Sequence, residues 1–302
     1  MELDLLKKGD MIGIVAPSRP IYNIKEEISK GIGEIKDRGF LIKKGEFLNK
    51  KDYYSAGSMG QRVSDIHAMF SDKIIKGIFC ATGGASAIQL LDKLDFELIK
   101  KNPKIFMGYS DITLLLLAIN KKSGITTFYG PNVREISLIS KDSKNFVFDM
   151  LKGKTKSFEY PKNIKIIRPG KADGKLVGGL LAGLVNLLGT PYMPNFDNKI
   201  IFWEETGASP ATIDLQLQQL KLAGAFNKIK GMVIGHLDNC TDKKYTKDNK
   251  SIEKIILERT DGFSFPIIKV DYFGHNTNNF YSIPIGPNAS LNTDKKNFTV
   301  NL

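Results

Sequence analysis

A serine lifted on a tight turn, with a histidine and a carboxylate within reach, can carry out acyl transfer. One segment has the required form. Lys104 to Met107 reads as a buried strand, Asp111 to Lys121 as a strongly apolar helix, and Gly108-Tyr109-Ser110-Asp111 is the turn between them. Such a strand–turn–helix raises the serine above the sheet as a nucleophile elbow. The Asp111 N–H then lies at a helix N-terminus, where a developing oxyanion is stabilised. The full G-x-S-x-G pattern is not met, because position 112 is isoleucine. The bland alternative is that Ser110 or Asp111 only caps the helix, a role both residue types favour.

A serine nucleophile needs a base, and the chain has three histidines. His67 lies on a helical pattern between Ile66 and Phe70 and reads as a packed residue. His236 follows an apolar run at a strand end. His275 sits in the polar turn Tyr272-Phe273-Gly274-His275-Asn276, where packing gives it little reason to be. Position favours His275 over His236. The base in turn needs an orienting acceptor. The strand-like run from Ile200 to Trp203 ends in Glu204 and Glu205, which cannot face the same way if the strand continues. Either one of them enters a site while the other is solvated, or both simply end the strand in water, as glutamates mostly do. Gly83-Gly84, between a strand and a helix, offers backbone N–H groups as a second oxyanion donor, or is a plain turn.

The positioning elements follow from periodicity. Strands are expected at Met11 to Ala16, Phe40 to Lys44, Lys76 to Ala81 and Lys104 to Met107, alternating with helices at Lys25 to Arg38, Gly60 to Phe70, Ala85 to Leu94 and Asp111 to Lys121. That alternation predicts an α/β domain with a mostly parallel sheet over residues 1–150, with ligands at the carboxyl ends of its strands. Residues 151–173, rich in Lys and Pro, are expected to connect it to a β-rich mixed domain over 174–302. That second domain would hold an apolar glycine-rich segment at 176–189, strands at Lys199 to Trp203, Gly231 to Gly235, Ile267 to Val270 and Asn297 to Asn301, helices at Ile213 to Leu222 and Ile252 to Thr260, and a polar loop from Lys243 to Lys250.

The 302 residues suit two domains, and 42% hydrophobic with 25% charged residues is ordinary for a soluble globular chain. The formal charge of +12 is spread along the whole chain without basic runs or interleaved aromatics, so no nucleic-acid partner is expected. The first residues lack the pattern of a secretory signal. The longest apolar stretch, 176–189, falls short of the roughly 20 residues that span a bilayer, so no membrane partner is expected and the cytoplasm is the expected compartment. Two distant cysteines and three isolated histidines give no zinc pattern, and no metal or organic cofactor is expected.

Taken in order, these segments resemble the LD-carboxypeptidases, a family that includes murein tetrapeptide carboxypeptidases and microcin C immunity-type peptidases. The similarity runs through Gly9 to Ser18, Gly83-Gly84, Leu90 to Asp95, Pro103 to Thr113, Thr127 to Pro131, Gly178-Gly179, Gly189-Thr190, Glu204-Glu205 with Asp214 and Gln219-Leu220, Gly274-His275 and Pro284 to Gly286. The resemblance implies a triad of Ser110, Glu204 and His275, and removes His236. It implies a flavodoxin-like (glutamine-amidotransferase-like) first domain, a β-rich second one and a homodimer. The implied substrate is a murein tetrapeptide cut before its terminal D-Ala, or a peptidyl-nucleotide conjugate of the microcin C type. A non-catalytic small-ligand module is the alternative of another class. Many murein-type members read Arg-Gly-Gly-Tyr-Gly where this chain has Ala81-Thr82-Gly83-Gly84-Ala85, a departure shared with the microcin branch as regards the arginine.

Overall fold

Short apolar runs rich in β-branched residues and bounded by turns suit strands covered on both sides. A computed structural model of the chain describes residues 4–241 and 250–302. Most of the expected polar loop, 243–249, lies outside the described residues. Among those described, the strands are β1 Met11–Val15, β2 Leu41–Lys44, β3 Ile75–Cys80, β4 Ile105–Gly108, β5 Thr127–Tyr129, β6 Ser157–Glu159, β7 Lys165–Arg168, β8 Lys171–Leu180, β9 Lys199–Thr206, β10 Gly231–Asp238, β11 Ile267–Lys269, β12 Ile283–Ile285, β13 Asn288–Asn292 and β14 Asn297–Asn301. The chain divides into two compact units.

The first unit holds the described residues up to Lys156, together with Asn278–Gly286. Its sheet has the order β12-β5-β4-β3-β1-β2, and β2, β1, β3, β4 and β5 run parallel. This is the flavodoxin-like winding, in which strand order reverses beside β1. β3, β4 and β5 are buried almost throughout, whereas the edge strand β2 is largely exposed and ends in Lys43 and Lys44. Helix Lys25–Asp37 buries Ile28, Gly31, Ile32 and Ile35 along one stripe. Helix Met59–Ser71 opens with a reciprocal capping box between Ser58 and Gln61. The helix expected over Ala85 to Leu94 is instead one 3-10 turn, Ala87–Leu90, followed by helix Phe96–Lys101. Asp95 explains the break, because its side chain accepts the Leu98 N–H and starts a new helix.

The second unit spans Ser157–Thr277 and Pro287–Leu302. It holds a mixed sheet in the order β6-β14-β13-β8-β9-β10-β11-β7, parallel from β8 to β11 and antiparallel outside. The connection expected over 151–173 is corrected here, since it contains β6, β7 and the start of β8. β6 and β7 are the two outermost strands and are exposed on at least one face. Edge strands carry lysines for the same reason that linkers do, which is contact with water. The apolar segment 176–189 becomes the end of β8 and the short helix Leu181–Asn186.

Candidate active site

In the first unit, β4 delivers the chain to Ser110, which adopts φ +64. A non-glycine residue held there costs about 1–3 kcal/mol, so its surroundings must impose it. They do so on both sides. The Tyr109 N–H donates to Asn132 Oδ1 at 3.2 Å, and the Gly130 N–H to the Gly108 carbonyl at 3.1 Å. A side chain at Gly108 would lie 2.8 Å from Ile112 Cγ2 and 2.9 Å from Asn132 Oδ1, so only glycine lets the turn close. The chain then makes a 3-10 turn, Ser110–Ile112, and enters helix Thr113–Ser123, whose cap position falls at Ile112 without a side-chain bond.

Asp111 is therefore not spent capping that helix. Its Oδ2 accepts from Ser18 Oγ at 2.5 Å and from the backbone N–H groups of Ser86 and Ala87 at 2.8 Å each. The loops following β1, β3 and β4 are thus tied to one buried carboxylate. Arg62, 3% exposed, closes the hub from below. Its guanidinium donates to the Pro17 carbonyl at 3.0 Å, to the Ser86 carbonyl and hydroxyl at 3.1 Å, and to Gln89 Oε1 at 2.6 Å. Burial pushes the Arg62 pKa below its ordinary value, and the charge of Asp111 opposes that shift. Gly83 packs directly on the serine, for a Cβ there would meet Ser110 Cβ at 2.8 Å and Oγ at 2.9 Å. A Cβ at Gly84 would meet Ser18 Oγ at 2.2 Å and Arg19 N at 2.6 Å. Ser110, Asp111, Gly83 and Gly84 therefore stand together at the carboxyl edge of this sheet.

In the second unit, β9 continues through both glutamates to Thr206, and neither ends in water. That corrects the expectation that at least one of the pair is solvated. Alternation sends the two side chains to opposite faces, and each finds donors. Glu204 is fully buried. It takes the His275 N–H on Oε2 at 3.2 Å, and His275 Nδ1 lies 2.9 Å from Oε2 and 3.1 Å from Oε1. A carboxylate bound to Nδ1 holds the proton there and leaves Nε2 as the basic nitrogen. Gly274, at φ +127, allows this approach, since a Cβ would lie 3.0 Å from Glu204 Oε2. Glu205 accepts the N–H groups of Ala182 at 2.9 Å and Thr206 at 3.0 Å, and burial pushes its pKa up.

The other histidines have structural partners. His67 Nε2 accepts the Asp95 N–H at 2.9 Å, and burial pushes its pKa down. His236 lies within β10, where its N–H donates to the Phe273 carbonyl at 2.8 Å and its Nδ1 sits 3.5 Å from Asp271 Oδ1. Ser18 and Arg62 were not expected from sequence. The only signal for Ser18 was its place in the loop after the first strand.

The comparisons agree with this architecture. Residues 12–130 match the LD-carboxypeptidase N-terminal domain, and residues 173–291 the LD-carboxypeptidase C-terminal domain. The chain is 32% identical over 300 residues to a Bacillus subtilis protein named "Probable murein peptide carboxypeptidase", covering 96% of this chain and 91% of that one. It is 27% identical over 329 residues to the microcin C7 self-immunity protein MccF of Escherichia coli, covering 98% and 94%. The crystal structure of an MccF-like protein from Bacillus anthracis superposes with a TM-score of 0.90 at 29% identity, over 100% of this chain and 99% of that one. Among the described residues no helix is long and apolar enough to cross a membrane. Both domain matches and the full-length similarity make the chain a member of the LD-carboxypeptidase family, and a peptidase.

Proposed function

We propose that the chain is a serine carboxypeptidase that hydrolyses the L,D-peptide bond to the terminal D-Ala of murein tetrapeptide. The observation that supports this reading most is the His275 Nδ1 held by the buried carboxylate of Glu204 in the second unit, while the first unit presents Ser110 on a strained, buttressed turn. Ser110 Oγ attacks the scissile carbonyl carbon, and His275 Nε2 takes the hydroxyl proton. Glu204 keeps the imidazole in the required tautomer and stabilises its cationic form. The N–H groups of Asp111 and of the Gly83-Gly84 turn receive the charge on the carbonyl oxygen. Collapse breaks the C–N bond, His275 returns the proton to the departing amine, and D-Ala leaves. Water, deprotonated by His275, then hydrolyses the acyl-serine ester and restores Ser110. No step requires a cofactor. In this reading the peptide is a cytoplasmic product of peptidoglycan recycling, and the enzyme works as a homodimer, which light scattering on the purified chain would test.

A second reading has its own support. The segment Ala81 to Ala85 lacks the arginine and tyrosine of many murein-type members, and the chain is similar to MccF along its whole length. In that reading the same triad cuts the amide of a peptidyl or aminoacyl nucleotide conjugate.

Product analysis by mass spectrometry separates the two. Wild type and Ser110→Ala are each incubated with murein tetrapeptide and with an aminoacyl-sulfamoyl adenosine. Release of D-Ala by wild type alone supports the murein reading. Cleavage of the conjugate alone selects the second. Equal turnover by Ser110→Ala overturns the mechanism.

A further inference from the structure

Two arginines are held against the turn that packs on Ser110. Arg134 donates its backbone N–H to the Ala81 carbonyl at 3.2 Å, and its Nη1 is 3.1 Å from Glu135 Oε1. Glu135 is buried, and burial raises its pKa against the opposing charges of Arg134 and Arg19. Arg134 is thus committed to neutralising a buried carboxyl.

Arg19 is placed differently. Its backbone N–H donates to the Gly83 carbonyl at 3.2 Å, and its Nε–H to Thr82 Oγ1 at 3.1 Å. Thr82 is 1% exposed, so the anchor is fixed. Gly84 permits the contact, because a Cβ there would press on Arg19 N at 2.6 Å and Arg19 Cβ at 2.9 Å. The guanidinium is held by one edge, and the side chain is otherwise exposed. None of the ion pairs of the described residues involves it. The edge bearing Nη1 and Nη2 is the one that grips a carboxylate in bidentate fashion. Residues 81 to 85 carry no charge of their own, and Arg19 brings a cation to the glycine turn that packs on Ser110.

We propose that Arg19 is the specificity residue that binds the C-terminal carboxylate of the peptide being cut. The proposal rests on the carboxypeptidase reading above and adds to it the group that makes the enzyme require a free terminus. The geometry suits the chemistry. In a substrate ending in D-Ala, the carboxylate carbon is three bonds from the scissile carbonyl carbon. Arg19 and Ser110 flank the same glycine turn. An anchored Nε–H restricts the guanidinium before the ligand arrives, which reduces the ordering cost on binding.

The test uses two forms of one probe, murein tetrapeptide with a free C-terminal carboxylate and with a C-terminal amide. Binding is measured by calorimetry on Ser110→Ala protein, with Arg19 intact, as Arg19→Ala, or as Arg19→Lys. With Arg19 intact, the carboxylate form should bind roughly 10- to 100-fold more tightly than the amide. Arg19→Ala should erase that preference by weakening only the carboxylate form, and Arg19→Lys should restore part of it. In otherwise wild-type protein, Arg19→Ala should raise KM for the carboxylate peptide far more than it lowers kcat. A thermal melt matching that of wild type excludes misfolding as the cause. If Arg19→Ala weakens both forms equally, or neither, Arg19 does not read the terminus and the proposal fails, while tetrapeptide turnover leaves the carboxypeptidase reading standing. If wild type neither binds nor cuts the tetrapeptide, the substrate reading and this proposal fall together.

Discussion

Glu204→Gln is the sharpest perturbation of the proposed mechanism, because it changes one charge and almost no volume. The carboxylate faces two donors from one residue, the His275 backbone N–H at 3.2 Å and Nδ1 at 2.9 and 3.1 Å. Glutamine supplies one carbonyl oxygen and one amide nitrogen in place of two oxygens. If its oxygen takes the Oε2 position it still serves both donors, and the amide nitrogen then sits where Oε1 lay. The charge that stabilises the imidazolium is gone. A hydrogen bond to a charged group contributes about 1.5–3 kcal/mol, so kcat should fall at least about 10- to 150-fold. If the amide nitrogen instead faces Nδ1, the imidazole must move its proton to Nε2 and ceases to be a base. The loss then approaches the roughly 10⁴-fold measured for the equivalent Asp→Asn change in a chymotrypsin-type triad. Release of D-Ala gives the rate. Long-range nitrogen–proton NMR gives the tautomer, and three histidines make that spectrum simple to assign. Turnover within about threefold of wild type, with the variant folded, would refute the orienting role of Glu204.

Two further perturbations address the scaffold. Gly83→Ala puts a methyl 2.8 Å from Ser110 Cβ and 2.9 Å from Oγ. Displacing the nucleophile should cost about 100-fold or more in kcat, against a stability loss of about 1–3 kcal/mol; unchanged turnover would mean that the serine does not react from this position. Lys104, 6% exposed, donates to the Asp72 carbonyl, and burial pushes its pKa down to about 8. The unfolded chain then binds more protons than the folded one above about pH 8, so this penalty is full at pH 7 and fades as pH rises toward 10. Lys104→Met should gain about 1–3 kcal/mol over wild type at pH 7 by urea unfolding, less at pH 10; a gain that grows with pH would contradict the sign.

The sequence was most informative where local chemistry and local structure coincide. The turn that carries Ser110 is legible because an apolar strand and an apolar helix meet across four residues. His275 stood out because histidine is scarce and its loop has no packing pattern. Only the family resemblance separates Glu204 from Glu205, and the local pattern does not, since their burial depends on β9 running on between β8 and β10. The hub was invisible for a different reason. Its bonds join residues 93, 25 and 45 apart, from Ser18 to Asp111, Ser86 to Asp111 and Arg62 to Pro17. No short window contains such a set. The error over residues 151–173 came from composition, because a sheet edge and a linker show water the same side chains.

The return of the chain to place β12 against β5 has a consequence for biosynthesis. β12 covers an edge that would otherwise expose unpaired backbone groups. The ribosome has already made β5 when it starts the second unit, yet β12 comes only after most of that unit. Roughly 130 residues separate the end of the first segment from the end of the returning one, on the order of ten seconds of synthesis at about 5–20 residues per second. Throughout that interval the nascent first unit carries an open strand. The nascent chain therefore has a defined window of aggregation risk, and slower translation lengthens it.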